Sequence, residues 1–192
     1  MTFKIVHPFR MAAIFGFMLL IVILLANHTF RVHKALPNPL QLLPISLSNI
    51  TTKSNTALRD SIVNFGKTLL GTPYLTASCN KDGFDCSGFV FYVFQHFKIA
   101  VPRSSIEFNN FGKTVAIDSA KIGDVVVFLS PTKNVIGHVG IITLAKGIES
   151  EFIHASSGDE MKVIISSLKQ IGYRKRFVKV VDVMPHPLSP SP

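Results

Sequence analysis

Two segments in the middle of the chain carry helical patterns of hydrophobic positions. Over Ala57–Leu70 the apolar side chains recur every three or four residues, which is the spacing of one helix face. The second segment, Asp85–Lys98, is apolar on nearly all sides, and Asp85 is suited to cap its first turn. These patterns predict an amphipathic helix followed by a helix that is buried in the centre of the fold.

The second half of the chain changes to short apolar runs separated by Gly, Pro, Asn and Lys, a pattern typical of strands. The runs predicted as strands are Val125–Leu129, His138–Leu144, Glu151–Ser156, Lys162–Ser166 and Arg176–Met184. Their spacing suits an antiparallel meander. Helices followed by strands predict an α+β domain in which a buried helix packs on an antiparallel sheet.

The N-terminal region contains an unbroken apolar run, Met11–Ala26, preceded by Lys4 and Arg10. A basic start followed by an apolar stretch is the pattern of an export signal. As a helix the run is about 24 Å long, and extension to Phe30 brings it to the length that spans a bilayer core of about 30 Å. Only half of a small-x-small cleavage pattern precedes the end of the run, so we expect a retained anchor in the inner membrane. A cleaved signal peptide and a buried core helix are the alternatives.

Composition changes along the chain predict four parts. Residues 1–34 form a signal or transmembrane anchor, and residues 35–56, with three prolines and few charges, form a flexible tether. Residues 57–184 form one folded domain, and the proline-rich residues 185–192 form a loose tail. We therefore expect the domain in the cell envelope, on the extracytoplasmic side of the membrane, or secreted if the segment is cleaved.

The charge and the cysteine content exclude several classes of protein. The net charge of +9 over 192 residues falls to +4 once residues 1–56, with five basic and no acidic side chains, are set aside. The remaining basic residues are scattered except for Arg174, Lys175 and Arg176, which we expect on a solvated face beside a strand. We expect no nucleic-acid partner. Two cysteines cannot staple a miniprotein or form a zinc ribbon, and no glycine-rich phosphate loop is present.

Cys86 is a candidate nucleophile because it lies at the start of the predicted buried helix, next to unpaired backbone N–H groups. Lowering a thiol pKa from about 8.5 to about 5 requires about 5 kcal/mol. A helix N-terminus supplies about 0.3–1 kcal/mol, and at most about 2. A functional thiolate therefore needs a nearby imidazolium.

Two histidines can supply that partner, His138 at the start of one predicted strand and His154 inside the next. If the two strands form a hairpin, the imidazoles lie side by side, and His154 can hold the second ring nitrogen of His138. The alternatives are a small buried cysteine and packed histidines, a disulfide between Cys79 and Cys86, and a zinc site on the cysteines and histidines.

The chain resembles the NlpC-type cysteine peptidases of bacterial cell-wall metabolism. The resemblance covers residues 57–180 and rests on short strings that stand in the same order. They are Gly71–Tyr74, Gly83–Val90, Val101–Ser105, Gly123–Asp124, His138–Ile141 and Phe152–Ser156.

The resemblance implies a papain-like α+β fold in circularly permuted order and a thiol protease that needs no metal and no organic cofactor. The implied partner is the peptidoglycan stem peptide, cleaved between γ-D-glutamate and diaminopimelate. Carried over by motif, Cys86 is the nucleophile, His138 the base and His154 the residue that orients it. Four further residues match positions near the substrate: Tyr74, Asp85, Ser87 and Arg103.

The chain departs from the family pattern at several places. Ala77-Ser78-Cys79 stands where the family often has a glycine pair, Ile122 replaces a usual proline, and Glu107 replaces a common glutamine. The first and third departures lie near the expected subsites. Other functions compatible with the same residues are a thiol acyltransferase or amidase, a catalytically blocked binding module, and a secreted antibacterial effector.

Overall fold

The computed structural model describes residues 54–185. The predicted anchor, nearly all of the predicted tether and the tail from residue 186 lie outside the described residues. The structure does not test those predictions. Within residues 54–185 there is no helix whose length and apolar character would let it cross a bilayer.

Two helices and a small hairpin form one layer of the domain. Helix α1 covers residues 54–67, and the predicted residues 68–70 form a turn instead. Strands β1 (Cys79–Asn80) and β2 (Gly83–Phe84) pair antiparallel and lead into helix α2 (Cys86–His96). The Asp85 carboxylate accepts a hydrogen bond of 2.6 Å from the Gly88 N–H, which confirms Asp85 as the N-cap of α2.

Helix α2 is buried at its start and exposed at its end. The residues buried in its first turns are Cys86, Ser87, Gly88, Phe89, Val90, Val93 and Phe94. Gln95 and His96 are exposed, and Phe91 and Tyr92 are half-buried. The prediction of burial on all sides is therefore correct only for the end of the helix that carries Cys86.

The other layer is a six-stranded antiparallel sheet in the order β3-β8-β4-β5-β6-β7. Its strands are β3 (Lys113–Val115), β4 (Val125–Leu129), β5 (Ile136–Leu144), β6 (Glu151–Ala155), β7 (Val163–Ser167) and β8 (Phe177–Asp182). Short 3₁₀ turns cover Ser105–Asn109 and Ile117–Ser119. The prediction of an α+β domain with a helix packed on an antiparallel sheet is confirmed.

The predicted meander is correct for β4 to β7 and wrong for β8. After β7, a short helix α3 (Ile171–Arg176) carries the chain back across the sheet, and β8 pairs with the free edge of β4. The reason lies in β4, whose first four residues are fully buried. A strand that is apolar on both faces belongs in the interior of a sheet, so it needs a neighbour on each edge. Arg176, predicted to open the last strand, is the last residue of α3.

Hydrophobic side chains cover both faces of the sheet. Val125 and Val127 of β4 face the helices, whereas Val126 and Phe128 face the opposite side with Phe152. Because side chains alternate along a strand, His154 lies on the same face as Phe152. This second face carries the two histidines of the site described below.

A buried ion-pair cluster ties α1 to the sheet. The guanidinium of Arg59 donates to Asp124 at 2.6 Å and to Asp182 at 2.7 Å. Burial raises the pKa of Asp124, while the hydrogen bond from Arg59 opposes that shift. The cluster fixes α1 on the strand region from which β4 starts.

Candidate active site

The thiol of Cys86 lies at the junction of the two layers. Cys86 is the first residue of α2, it is buried, and its Sγ is 3.8 Å from the carbonyl oxygen of Gly137 on β5. The nucleophile candidate thus lies against the residue that precedes His138. Both cysteines have free thiols, so the disulfide alternative is not the state of this structure.

The two histidines meet on one face of the β5–β6 hairpin. The strands pair antiparallel with Ile141 opposite Ile153, which makes His138 and His154 diagonal neighbours. His138 Nε2 and His154 Nδ1 are 2.9 Å apart, and both residues are buried. The hairpin assumed from the sequence is present, and the imidazoles are in hydrogen-bond contact.

The second ring nitrogen of His154 contacts two hydroxyl groups that the sequence analysis did not single out. His154 Nε2 is 3.0 Å from Ser166 Oγ on β7 and 3.3 Å from the Tyr173 hydroxyl on α3. The pairing of His154 with Ile164 makes Ser166 a diagonal neighbour on the same face, so a β6–β7 register would have indicated it. Tyr173 has no such signal, because it reaches the site through the crossover helix.

The remaining predicted residues form a network at the start of α2. Arg103 donates to both carboxylate oxygens of Asp85, at 2.9 and 2.8 Å, and to Ser87 Oγ at 3.2 Å. It also donates to the carbonyl oxygen of Ser78 at 3.2 Å. These contacts hold the loop before α2 in place, beneath the thiol. Asp85, Ser87 and Arg103 are not among the residues that line the cavity next to Cys86.

A cavity of about 440 Å³ opens beside the thiol. Of the predicted site residues, Tyr74, Cys86 and His138 line it. The cavity is also lined by Pro131, Gly137, Ser156, Ser157, Gly158, Asp159, Glu160, Gln170, Tyr173 and Arg176. Hydroxyl groups, carboxylates and one guanidinium therefore surround the space next to the candidate nucleophile, as a polar substrate requires.

Burial favours the uncharged forms of the cysteine and the two histidines of the site. It raises the pKa of Cys86, to which the neighbouring Asp85 carboxylate adds, while backbone N–H groups of Ser87, Val139 and Cys86 act in the opposite direction. Burial lowers the pKa of His138 well below its ordinary value and that of His154 to about 4. These shifts favour a neutral thiol and neutral imidazoles over the thiolate–imidazolium pair expected from the sequence.

Tyr74 presents a hydroxyl group to the same cavity. Burial raises its pKa, followed by the nearby Cys86 and Asp85. The phenol therefore keeps its proton at neutral pH and is available as a hydrogen-bond donor.

The zinc alternative gains nothing from this geometry. Across residues 54–185 the histidine, cysteine and carboxylate side chains form no group of three or more that could hold a metal ion. The arrangement instead brings a buried thiol to a cavity that His138 also lines, with His154 in contact with His138, and such groups are suited to acyl transfer.

Comparison with known proteins gives consistent matches over the same region. The model of the NlpC/P60 family matches residues 71–182. Murein DD-endopeptidase MepS/Murein LD-carboxypeptidase of Escherichia coli K12 is 35% identical over 108 residues, which are 56% of this chain and 53% of that protein. Gamma-D-glutamyl-L-lysine dipeptidyl-peptidase of Bacillus subtilis is 36% identical over 83 residues, which are 43% of this chain and 28% of that protein.

A solved structure agrees with the fold. An NlpC/P60 family protein from Bacillus cereus superposes with a TM-score of 0.59 at 30% sequence identity, covering 66% of this chain and 40% of the other. The chain thus spans between about a quarter and about half of the lengths of these proteins.

Proposed function

The chain belongs to the NlpC/P60 family, and on this basis and the geometry of its site we propose that it is a cysteine endopeptidase of bacterial peptidoglycan. The observation that carries the proposal is that Cys86 and His138 line one polar cavity while His154 contacts the ring of His138. Relatives named for hydrolysis of murein or of γ-D-glutamyl bonds support the same class of substrate.

In the proposed mechanism, the Cys86 thiol attacks an amide carbonyl of the stem peptide while Nδ1 of His138 takes the thiol proton. Nδ1 is the ring nitrogen that remains, because Nε2 faces His154. Since the resting pair is uncharged, this transfer accompanies attack rather than preceding it. The backbone N–H of Cys86 and the Tyr74 hydroxyl would donate to the developing oxyanion.

The tetrahedral intermediate then collapses, the C–N bond breaks, and the His138 imidazolium gives its proton to the leaving amine. A water molecule hydrolyses the thioester: His138 accepts a proton from the water, and the departing sulfur regains its proton. No metal ion and no organic cofactor takes part. His154 holds Nε2 of His138 throughout, so the base keeps one orientation in both half-reactions.

The composition of the cavity favours a peptide over a lipid acyl chain. Asp159 and Glu160 on one loop and Arg176 on α3 offer both signs of charge beside the thiol. Stem peptides carry free carboxylates and, at diaminopimelate, an ammonium group. A lipid acyltransferase would instead require a broad apolar groove, so we place acyltransferase and amidase activities second.

We propose the bond between γ-D-glutamate and diaminopimelate as the one cleaved. The domain, residues 57–184, would reach the wall from an N-terminal anchor in the inner membrane and a tether of residues 35–56. Asp85, Ser87 and Arg103 would then act near the substrate by fixing the loop before α2, and Tyr74 by direct contact.

The test is digestion of two purified muropeptides by the 192-residue chain, a disaccharide tetrapeptide monomer and its cross-linked dimer, with products identified by mass. Cleavage at γ-D-glutamate releases a diaminopimelate-containing dipeptide from the monomer, whereas cleavage of the cross-link only converts dimer into monomer. Cys86→Ala should abolish the product, and Cys79→Ala, the matched control, should retain it. Equal product from wild type and Cys86→Ala would refute the nucleophile assignment, and cross-link cleavage alone would refute the proposed bond.

A further inference from the structure

The hydroxyl groups that meet His154 have no role in the mechanism above. Ser166 comes from β7 and Tyr173 from α3, and their oxygens lie 3.0 and 3.3 Å from His154 Nε2. Ser166 and His154 are buried, and Tyr173 is half-buried at the wall of the cavity. The buried imidazole thus has an oxygen partner on the side away from His138.

The position of one proton on His154 decides whether His138 can act as a base. A neutral imidazole has one donor nitrogen and one acceptor nitrogen. If His154 Nε2 donates to a hydroxyl oxygen, its Nδ1 must accept from His138 Nε2, and His138 Nδ1 is left with a free lone pair. If the polarity is reversed, the proton of the neutral His138 ring sits on Nδ1, and the ring cannot take the thiol proton there.

The contacts beyond Tyr173 favour the first arrangement. Ser156 Oγ donates to the Glu160 carboxylate at 3.3 Å and accepts from the Gly158 N–H at 3.2 Å. The Ser156 and Ser166 side chains also lie close enough to the Tyr173 phenol to lower its pKa. Because a carboxylate only accepts, the Ser156 hydroxyl hydrogen points toward Glu160, and Ser156 Oγ keeps a lone pair for the Tyr173 hydroxyl. A Tyr173 hydroxyl that donates to Ser156 presents an oxygen lone pair to His154.

Nearby charged groups keep the histidines neutral, which is the state in which the tautomer matters. Arg176 lies over the Tyr173 ring, with its guanidinium carbon 5.2 Å from the ring centroid. Its charge contributes to the lowered pKa of both His138 and His154. Arg176 and Glu160 are charged groups that act on the pKa of Tyr173, and both line the cavity.

We infer that Ser166 and Tyr173 are positioning residues whose hydroxyl oxygens accept from His154 Nε2–H and thereby leave His138 Nδ1 free to serve as the base. The assignment of a base rests on the proposed function, whereas the tautomer is a property of the chain without substrate. Either hydroxyl alone can accept the bond, so the two are redundant.

The test compares Tyr173→Phe, Ser166→Ala and the double variant on the muropeptide substrate. We expect each single variant to lose less than about 5-fold in kcat and the double variant about 10–100-fold, the loss typical of partners that orient a ligand or base. KM should stay unchanged because the ring of residue 173 is kept. Tyr173→Phe/Ser166→Thr should recover most of the loss, because it restores one hydroxyl. Tyr92→Phe/Ser167→Ala, which removes the same two groups outside the site, is the matched control.

The second readout is the ¹⁵N NMR spectrum of the imidazoles in the 192-residue chain without substrate. Wild type should show both histidines protonated at Nε2, and the double variant should show a mixture. Glu160→Gln, which replaces an exposed side chain, should shift the populations the same way without threatening the core.

A double variant with wild-type kcat, or a tautomer that does not change in either the double variant or Glu160→Gln, would overturn the inference. If wild type cleaves no muropeptide, the proposed function fails, and the NMR arm still decides the tautomer.

Discussion

The two buried histidines predict a specific loss of stability in mild acid. An unfolded histidine has a pKa of about 6.5. The folded chain holds the pKa of His154 at about 4 through burial, and that of His138 is lowered too. Below pH 6.5 the histidines of the unfolded state therefore bind protons that those of the folded state do not bind. The free energy of unfolding is therefore highest above pH 6.5 and falls as the pH drops toward 4.

The magnitude for His154 follows from its two pKa values. A difference of about 2.5 units, at about 1.4 kcal/mol per unit, gives about 3 kcal/mol of unfolding free energy lost between pH 7 and pH 4. His154→Gln keeps a polar side chain that does not titrate. Its stability should thus depend less on pH by about this amount, whatever its absolute stability at pH 7.

The assay is urea unfolding of wild type, His154→Gln and His96→Gln at several pH values between 4.5 and 7.5. His96 lies on the exposed end of α2, stacked on Phe65, and its replacement is the matched control. It should keep the wild-type dependence on pH. If the free energy of unfolding depends on pH equally for wild type and His154→Gln from pH 7.5 to 4.5, burial does not hold His154 neutral. The neutral Cys86–His138 pair would then be refuted as well.

Three further predictions follow from other contacts. The alkylation rate of Cys86 by iodoacetamide, followed by mass, should rise steadily from pH 5 to pH 10, because burial raises the pKa of its thiol; a plateau below pH 7 would indicate a resting thiolate. Arg59→Met should cost about 3–5 kcal/mol in urea unfolding, since it leaves two carboxylates without their shared cation; a loss below about 1 kcal/mol would contradict a buried pair. Ala77→Gly should raise stability by about 1 kcal/mol in the same assay, because Ala77 has a φ of +60°, where a Cβ is strained; an unchanged midpoint would refute that strain.

The chain pattern was sufficient to predict both main helices, five of the six sheet strands and the hairpin that joins the histidines. Local rules decide these features, such as the cap at Asp85 and the period of the apolar runs. The pattern could not give the return of β8 to β4, because a crossover is decided by which strand is buried on both faces. Strand β3 was not predicted either, because a pattern over only three residues is too short to recognise.

For the site, the sequence indicated Tyr74, Cys86 and His138, which line one cavity, and His154, which contacts His138 behind it. It predicts a thiolate–imidazolium pair, whereas burial shifts both pKa values toward the neutral forms, because a helix N-terminus and a neighbouring histidine can be recognised in a sequence and the degree of burial cannot. It missed Ser166 and Tyr173 for a related reason: their importance depends on a strand register and on a crossover helix. Ala77 is the opposite case. Its departure from a glycine pattern is visible in the sequence, and its positive φ explains why glycine suits this stretch.

The thiol belongs to the helical layer, whereas both imidazoles belong to the sheet. A folding intermediate that has formed only α2, or only the β5–β6 hairpin, therefore holds half of the reactive pair. Such a chain is chemically inert toward amides until the two layers dock. During refolding, the return of the proposed hydrolysis should consequently lag behind the return of secondary structure, so its rate would report the last packing step.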